Sequence, residues 1–382
     1  MKIYLDKDVL EAAVERIGFI FDEFENVVVA ISGGKDSTVV FELCLREARK
    51  RNRLPLKTMW IDQEAEWQST VDQVKYHMYH PDVEPYWFQI PIRLFNATSR
   101  IDHWLHCWDP EKKDLWVHPQ DPISKKENIY GTDRFEPLYE AILKKEFPEI
   151  PTALVGGVRC EESPRRRLSM TTVVQYKWIT WAKRYKKATI HKEDHFTVYP
   201  IYDWSYTDVW KAIHENNWRY NKLYDYQYQY GIPLPDMRVS NVHHETAVKA
   251  LFYMQEVEPA VWERLTRRIA GVDMASKFGW DDFAVRELPF MFADWKEYRD
   301  YLLENLIDNE YWKDRFRARF KSQERLYGDH LEDKFYKVDV QSILTNDWEG
   351  IKARNYGASP TVRTAYVKRK KELIDAMQRS RQ

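Results

Sequence analysis

Cysteine is scarce in this chain: among 382 residues it occurs only at Cys44, Cys107 and Cys160. The three lie far apart and form no C-x-x-C pair, so neither a disulfide framework nor a cysteine-held iron–sulfur cluster is expected. An excess of one charge is lacking too. The formal net charge is -1, and no global field argues for nucleic acid. No apolar run of about 18 residues exists, which argues against a membrane-spanning helix, and the first six residues form no apolar leader. A soluble, cytoplasmic protein is the expectation. Internal repeats and low-complexity tracts are missing as well. Aromatic residues, by contrast, are plentiful. They make up 15% of the chain and include 16 Trp, which a Trp-rich core accounts for without invoking ligand surfaces. The length suffices for a large core and two domains.

The most informative stretch is Ser32-Gly33-Gly34-Lys35-Asp36-Ser37. The β-branched run Asn26-Val27-Val28-Val29-Ala30-Ile31 before it reads as a buried parallel strand. The segment Thr38-Val39-Val40-Phe41-Glu42-Leu43-Cys44-Leu45 after it reads as the start of a helix. Gly33 and Gly34 therefore sit at a strand-to-helix turn, where glycine permits a sharp bend and close approach of a ligand. The free N–H groups of the helix start attract an anion, Lys35 adds a positive charge, and Ser32 and Ser37 add hydroxyl donors. This is a phosphate cradle. It is not the Walker pattern, which places four residues between its first Gly and Gly-Lys-Ser/Thr.

Ser-Gly-Gly-Lys-Asp-Ser resembles the pyrophosphate loop, or PP-loop, of the adenine nucleotide α-hydrolases. Within that superfamily of PP-loop ATP pyrophosphatases it is most similar to the phosphoadenosine phosphosulfate reductase family. The resemblance covers about residues 20–230. It implies an α/β fold, with a parallel five-stranded sheet and flanking helices, and chemistry at the α-phosphate of an adenine nucleotide.

Other segments extend the pattern. Residues 7–24 are amphipathic and read as a leader helix, with Val9, Leu10, Ala13, Ile17 and Phe21 on one face. Lys57–Asp62 reads as a second strand whose carboxyl end carries Asp62 and Gln63, where open α/β sheets place ligands. The resemblance makes Asp62 and Gln63 nucleotide-binding candidates. For Asp62, the cap of a helix over Glu66–Tyr79 is an equal alternative. Tyr86–Ile92 reads as a third strand, and Glu136–Phe147 as a helix. Between them lies a long Trp/His-rich insert, about residues 96–135, with His103, His106, Cys107 and His118. Those residue types ligate zinc, but their spacing matches no zinc pattern. A substrate-facing loop or an interface fits as well, and no metal cluster is expected.

The strand Thr152–Val155 leads into Gly156, Gly157 and a loop with Arg159, Glu162, Ser163, Arg165, Arg166 and Arg167. Guanidinium forks suit phosphate and sulfate oxygens. The segment is similar to the family's Gly-x-Arg-x-x-Glu/Gln-Ser…Arg stretch, where the arginines surround phosphates or sulfate. Phe196–Trp210 reads as strand, turn and a helix capped by Ser205 or Thr207. Its Pro200, Trp204, Asp208, Val209 and Trp210 match a further family segment, read as mostly structural. Asn221-Lys222-Leu223-Tyr224-Asp225 continues the match. Reductases of the family also carry a tail cysteine that attacks the sulfate. No cysteine follows Cys160 here, so thioredoxin-coupled reduction loses support, and Cys160 reads as a small buried residue before it reads as a nucleophile.

From about residue 236 the pattern turns helical, with helices expected at Thr246–Glu256, Pro259–Ile269 and Trp295–Leu306, and turns at Leu344–Gly350 and Asn355–Gly357. The basic tail, with Arg363, Lys368, Arg369, Lys370, Lys371, Arg379 and Arg381, reads as a solvated helix more readily than as a nucleic-acid contact. The organisation expected is a nucleotide-binding α/β domain over residues 1–235 and a mainly helical region over 236–382. The whole layout resembles the phosphoadenosine phosphosulfate sulfurtransferases of bacteria and phages.

The leading expectation is an enzyme that binds ATP, with Mg²⁺ accompanying the triphosphate and Asp36 near the ion. Lys35, Asp36 and Arg159 form the catalytic group. The acceptor is left open between nucleic acid, a sulfur carrier and a partner protein, and a homodimer is left open too. Two alternatives remain: a reductase or sulfurtransferase using phosphoadenylylsulfate, and a non-catalytic nucleotide-sensing regulator.

Overall fold

The computed structural model describes residues 6–148, 150–185, 195–239, 241–243, 250–277, 285–330 and 332–379. The leader helix is α1, Val9–Glu23. Asp8 and Glu11 close it with a reciprocal capping box, and Ala13, Ile17, Ile20 and Phe21 form its buried face. Strand β1, Asn26–Ala30, follows, then helix α2, Lys35–Lys50. Next come β2, Leu56–Ile61, helix α3, Gln68–Met78, and β3, Val83–Phe88. Strands β4, Ile92–Phe95, and β5, Trp104–Cys107, form a separate two-stranded sheet. Helix α4, Phe135–Glu146, leads to β6, Thr152–Val155. Helix α5, Pro164–Thr171, comes next, then strands β7, Ala182–Arg184, and β8, Phe196–Val198. Helices α6, Tyr206–Glu215, and α7, Leu223–Gln229, complete the α/β pattern.

The main sheet has six strands in the order β3-β2-β1-β6-β8-β7. The five expected parallel strands are present, and β7 adds an antiparallel edge on β8. Val27, Val28 and Val29 in β1 and all four residues of β6 are buried, as a sheet covered on both faces requires. After β1 the chain winds outward through β2 and β3, then returns to lay β6 on the other side of β1. The carboxyl ends of β1 and β6 therefore flank the switch in winding direction, the place where open α/β sheets form a ligand crevice. Ser205, not Thr207, caps α6. Asp62 does not cap α3: the cap residue is Trp67, and Glu258 accepts hydrogen bonds from the Gln68 and Ser69 N–H groups at 2.6 and 2.9 Å.

Two further helices, α8, Leu251–Val257, and α9, Pro259–Arg268, precede the C-terminal region. The chain separates into two compact units. One comprises Met1–Leu94, Trp104–Val242 and Tyr253–Ile269; the other comprises Phe95–His103, His243–Phe252 and Ala270–Gln382. The second unit is helical: α10, Val272–Lys277; α11, Trp295–Leu306; α12, Glu310–Tyr327; α13, Asp333–Leu344; α14, Ile351–Gly357; and α15, Pro360–Arg379. Its core is aromatic, with Trp312 against Phe95, His103 and Trp348. Asn355–Gly357, expected as a turn, is instead the last turn of α14, where the Ala358 N–H closes back on the Arg354 carbonyl. Thr246–Lys249 of the helix expected at Thr246–Glu256, and Arg381 of the tail, lie outside the described residues. No described helix is long and apolar enough to cross a membrane.

Candidate nucleotide phosphate site

The loop between β1 and α2 is held from three directions. Within it, the Ser37 hydroxyl accepts from the Ser32 N–H at 3.2 Å and donates to the Gly34 carbonyl at 2.9 Å. Gly33 adopts φ +69°, and a Cβ there would meet Thr70 Cγ2 at 2.8 Å, so both conformation and space require glycine. From α7 and the turn before it, the Asn221 amide donates to the Gly33 carbonyl at 3.1 Å, and the Tyr224 hydroxyl accepts the Lys35 N–H at 3.1 Å. From β6, Gly157 lies directly on the first turn of α2. A Cβ at Gly157 would fall 2.6–2.7 Å from backbone atoms of Asp36 and Ser37. The two glycine-containing loops at the carboxyl ends of β1 and β6 are thus packed backbone to backbone.

Charge gathers at this junction. Lys35 Nζ lies 3.0 Å from Asp36 Oδ2, and Arg159 Nε binds Asp36 Oδ1. One carboxylate therefore holds two cations at the start of a helix, where the dipole already favours anions. Both cations are nearly buried, Lys35 at 7% and Arg159 at 4% exposure. Arg159 also reaches Glu161 Oε2 at 3.0 Å, while its N–H donates to Glu162 Oε1 at 2.9 Å. Glu162 in turn pairs with Arg166, and Ser163 caps α5 by accepting the Arg166 N–H. Arg165 and Arg167 stand exposed on α5 without an ion pair among the described residues. Gly156 is buried in the strand-end turn and donates its N–H to Val198.

Of the residues expected to bind nucleotide, the structure thus brings Ser32 to Ser37, Gly156, Gly157, Arg159, Glu162, Ser163 and Arg166 together. Asp62 is placed differently. It is fully buried, and its carboxylate accepts from the Glu64 N–H, Trp87 Nε1 and Gln89 Nε2 at 2.9, 3.1 and 2.8 Å. The Gln63 carbonyl accepts the Cys107 thiol at 3.1 Å.

Beside Asp62 lies a second set of buried ionisable groups. His118 Nε2 stands 3.4 Å from Asp62 Oδ1. Burial alone would push the His118 ring down, but the Asp62 carboxylate outweighs it and the ring is held above its ordinary value. Burial, helped by the Asp62 charge, pushes the Glu66 carboxyl up to about 8. Glu64 is paired with Arg268 at 2.6 and 3.0 Å. Among the described residues no three ligating side chains converge as a metal site. Of the histidines and cysteine in the insert, His103 belongs to the helical unit and packs on Trp312 and Trp348, His106 is exposed, and Cys107 and His118 are buried. Burial pushes the thiols of Cys44, Cys107 and Cys160 up, so none is a thiolate near neutral pH.

Residues 26–230 match the Phosphoadenosine phosphosulfate reductase domain, just over half of the chain and the whole of the loop geometry above. The chain belongs to that family. Residues 231–371 match a second family, a domain of unknown function, DUF3440. An uncharacterized protein of Escherichia coli, YbdN, is 28% identical over 316 residues, covering 80% of this chain and 77% of that protein. Sulfate adenylyltransferase subunit 2 of Shewanella pealeana is 24% identical over 225 residues, 56% of this chain and 66% of the relative. Among solved structures, phosphoadenylyl-sulfate reductase from Candida auris aligns at 14% identity with TM-score 0.36, covering 64% of this chain and 99% of that one.

Two supports of the family loop escape a reading by local pattern. Asn221 and Tyr224 stand in a segment that resembles the family, yet nothing local says that they bind a loop 188 and 189 residues away. The signal was the motif; its target appears only in three dimensions.

Proposed function

We propose that this chain binds ATP and cleaves it at the α-phosphate, transferring the adenylyl group to an acceptor. The observation that carries the reading is the junction of the two loops. Lys35 and Arg159 meet there on the Asp36 carboxylate at the start of α2, and Gly157 lets the two loops pack backbone to backbone. An acceptor nucleophile would bond to the α-phosphorus while the bond to the bridging oxygen of the β-phosphate breaks, releasing pyrophosphate. The charge spread over the phosphoryl oxygens would be met by preorganised donors, Lys35 and Arg159 foremost, and such electrostatic stabilisation is what chiefly lowers the barrier in phosphoryl chemistry. Membership of the phosphoadenosine phosphosulfate reductase family supports an adenine nucleotide, and the likeness to a sulfate adenylyltransferase subunit supports adenylyl transfer.

Mg²⁺ fits this site as a companion of the nucleotide. Asp36, whose two oxygens hold Lys35 and Arg159 in this structure, is the carboxylate that would turn to the ion when nucleotide phosphates take over those cations, and the ion would offset phosphate charge. The raised thiols favour this reading over cysteine-based reduction of phosphoadenylylsulfate.

The test is to identify the ligand and the product. ATP with Mg²⁺ should bind and release pyrophosphate. Binding of phosphoadenylylsulfate alone, with release of 3′,5′-bisphosphoadenosine, would replace the proposal with sulfur transfer. Lys35→Ala should weaken ATP about 10-fold or more by calorimetric titration, because it removes a charge-assisted contact while the glycine turn survives. Unchanged affinity would remove the phosphate cradle from the argument. Cys160→Ser should leave turnover within about threefold, since the half-buried thiol, not fully buried as the sequence suggested, has no part in the step. Loss of turnover in a folded Cys160→Ser protein would restore covalent sulfur chemistry.

A further inference from the structure

The segment just beyond the reductase-family match returns to the phosphate loop. Val239 Cγ2 would lie 3.3 Å from a Cβ on Gly34, so this stretch packs against the loop itself. Its backbone is fixed. Gln227, buried at the end of α7, donates from Nε2 to the Arg238 carbonyl at 2.6 Å and to the Tyr253 hydroxyl at 2.8 Å. Val239 is buried and Arg238 is exposed. Its charge acts on Arg166, whose guanidinium it disfavours together with burial, and on the Tyr224 hydroxyl that braces Lys35. Arg238 makes no ion pair among the described residues, whereas Lys35, Arg159 and Arg166 are each held by a carboxylate.

We propose that Arg238 is a ligand-binding residue that closes the phosphate site from outside the family domain. It would meet a phosphate group beyond the one seated at the start of α2. An exposed guanidinium on a backbone clamped beside the phosphate loop gains a forked, charge-assisted contact when an anion is bound there. Arg238 and Val239 lie in the stretch matched by the second family, yet both belong to the compact unit that carries the loop. The second sequence family would thus supply part of the nucleotide site rather than only an appended region. This inference deepens the ATP reading and rests on it.

The experiment is calorimetric titration of the full chain and its Arg238→Gln and Arg238→Lys variants with ATP, AMP and inorganic pyrophosphate. Arg238→Gln should weaken ATP about 10-fold, leave AMP within about twofold and leave the melting temperature of the free protein unchanged. Arg238→Lys should recover part of the loss, because it keeps the charge but not the fork. Equal ATP affinity in parent and Arg238→Gln would overturn the proposal and leave the ATP reading standing. Equal weakening of AMP and ATP would overturn it too, because the residue would then shape the loop instead of touching an outer phosphate. If the parent bound pyrophosphate but not ATP, and the Gln variant lost it, the anion contact would stand and the ATP reading would fall. A parent that bound none of the three would overturn both.

Discussion

Gly157→Ala is expected to lower the melting temperature by roughly 5 °C and to abolish the rise that ATP brings. The added Cβ would sit 2.6–2.7 Å from the Asp36 carbonyl group and the Ser37 nitrogen. Those atoms belong to the first turn of α2 and cannot swing aside as a side-chain tip can. Overpacking of this kind typically costs about 1–3 kcal/mol. Relief requires the β6 loop to lift from α2, and that motion carries Arg159 away from Asp36. Stability and nucleotide binding should therefore fall together. Thermal unfolding with and without ATP and Mg²⁺ measures both. A variant that melts with the parent and keeps the ligand-induced shift would show that the two loops do not need backbone contact. Gly131 offers a control for glycine at positive φ: at φ +72° a Cβ there meets nothing within 4 Å, so Gly131→Ala tests backbone strain without a clash.

The parts of this site legible in the sequence are those where local chemistry and tertiary role coincide. Val27 to Val29 read as a buried strand, Gly33 and Gly34 as a turn, and Thr38 to Leu45 as the start of a helix, which in the structure begins at Lys35. Together they fix a cradle before any fold is known. The Gly156–Arg167 loop was legible for the same reason. What stayed hidden was non-local. Tyr224, Asn221 and Val239 pack on a loop about two hundred positions earlier, and their own neighbours in sequence do not announce it. Asp62 shows the converse. A carboxylate at the end of a parallel strand reads as a ligand contact, but Trp87, Gln89 and the Glu64 N–H take up its oxygens.

Fold elements went unread where pattern was weak. Strand β7 is only Ala-Lys-Arg, with no β-branched residue, and exists because β8 offers it an edge. Helix α12 is crowded with arginine, lysine and glutamate, which masks the buried spacing of Trp312, Phe316 and Phe320 at every fourth position.

Stability of the α/β unit should fall as pH rises from about 5 to 8, and Glu66→Gln should remove most of that slope. Glu66 is buried at 3% exposure, and its carboxyl is pushed up to about 8 by burial first and by the Asp62 charge second. In the unfolded chain the same group titrates near its ordinary value of 4.5. Between those two values the folded protein holds a proton that the unfolded chain has released. Unfolding then becomes easier with each step up in pH, by about 1.4 kcal/mol per unit for one proton. Below the unfolded value both states are protonated and the penalty vanishes; above the folded value it is complete, at roughly 4–5 kcal/mol. His118, raised by Asp62, contributes in the same direction, because its stabilising charge is lost as pH climbs through its folded value. Gln keeps the size and hydrogen-bonding ends of a protonated Glu but has no proton to lose. The variant should therefore match the parent near pH 5 and exceed it by several kcal/mol near pH 9, by denaturant unfolding across that range. A parent whose stability is flat from pH 5 to 8, or a Gln variant with the same slope, would show that Glu66 is ionised in the folded state. The buried acids at the end of β2 would then need a compensating cation.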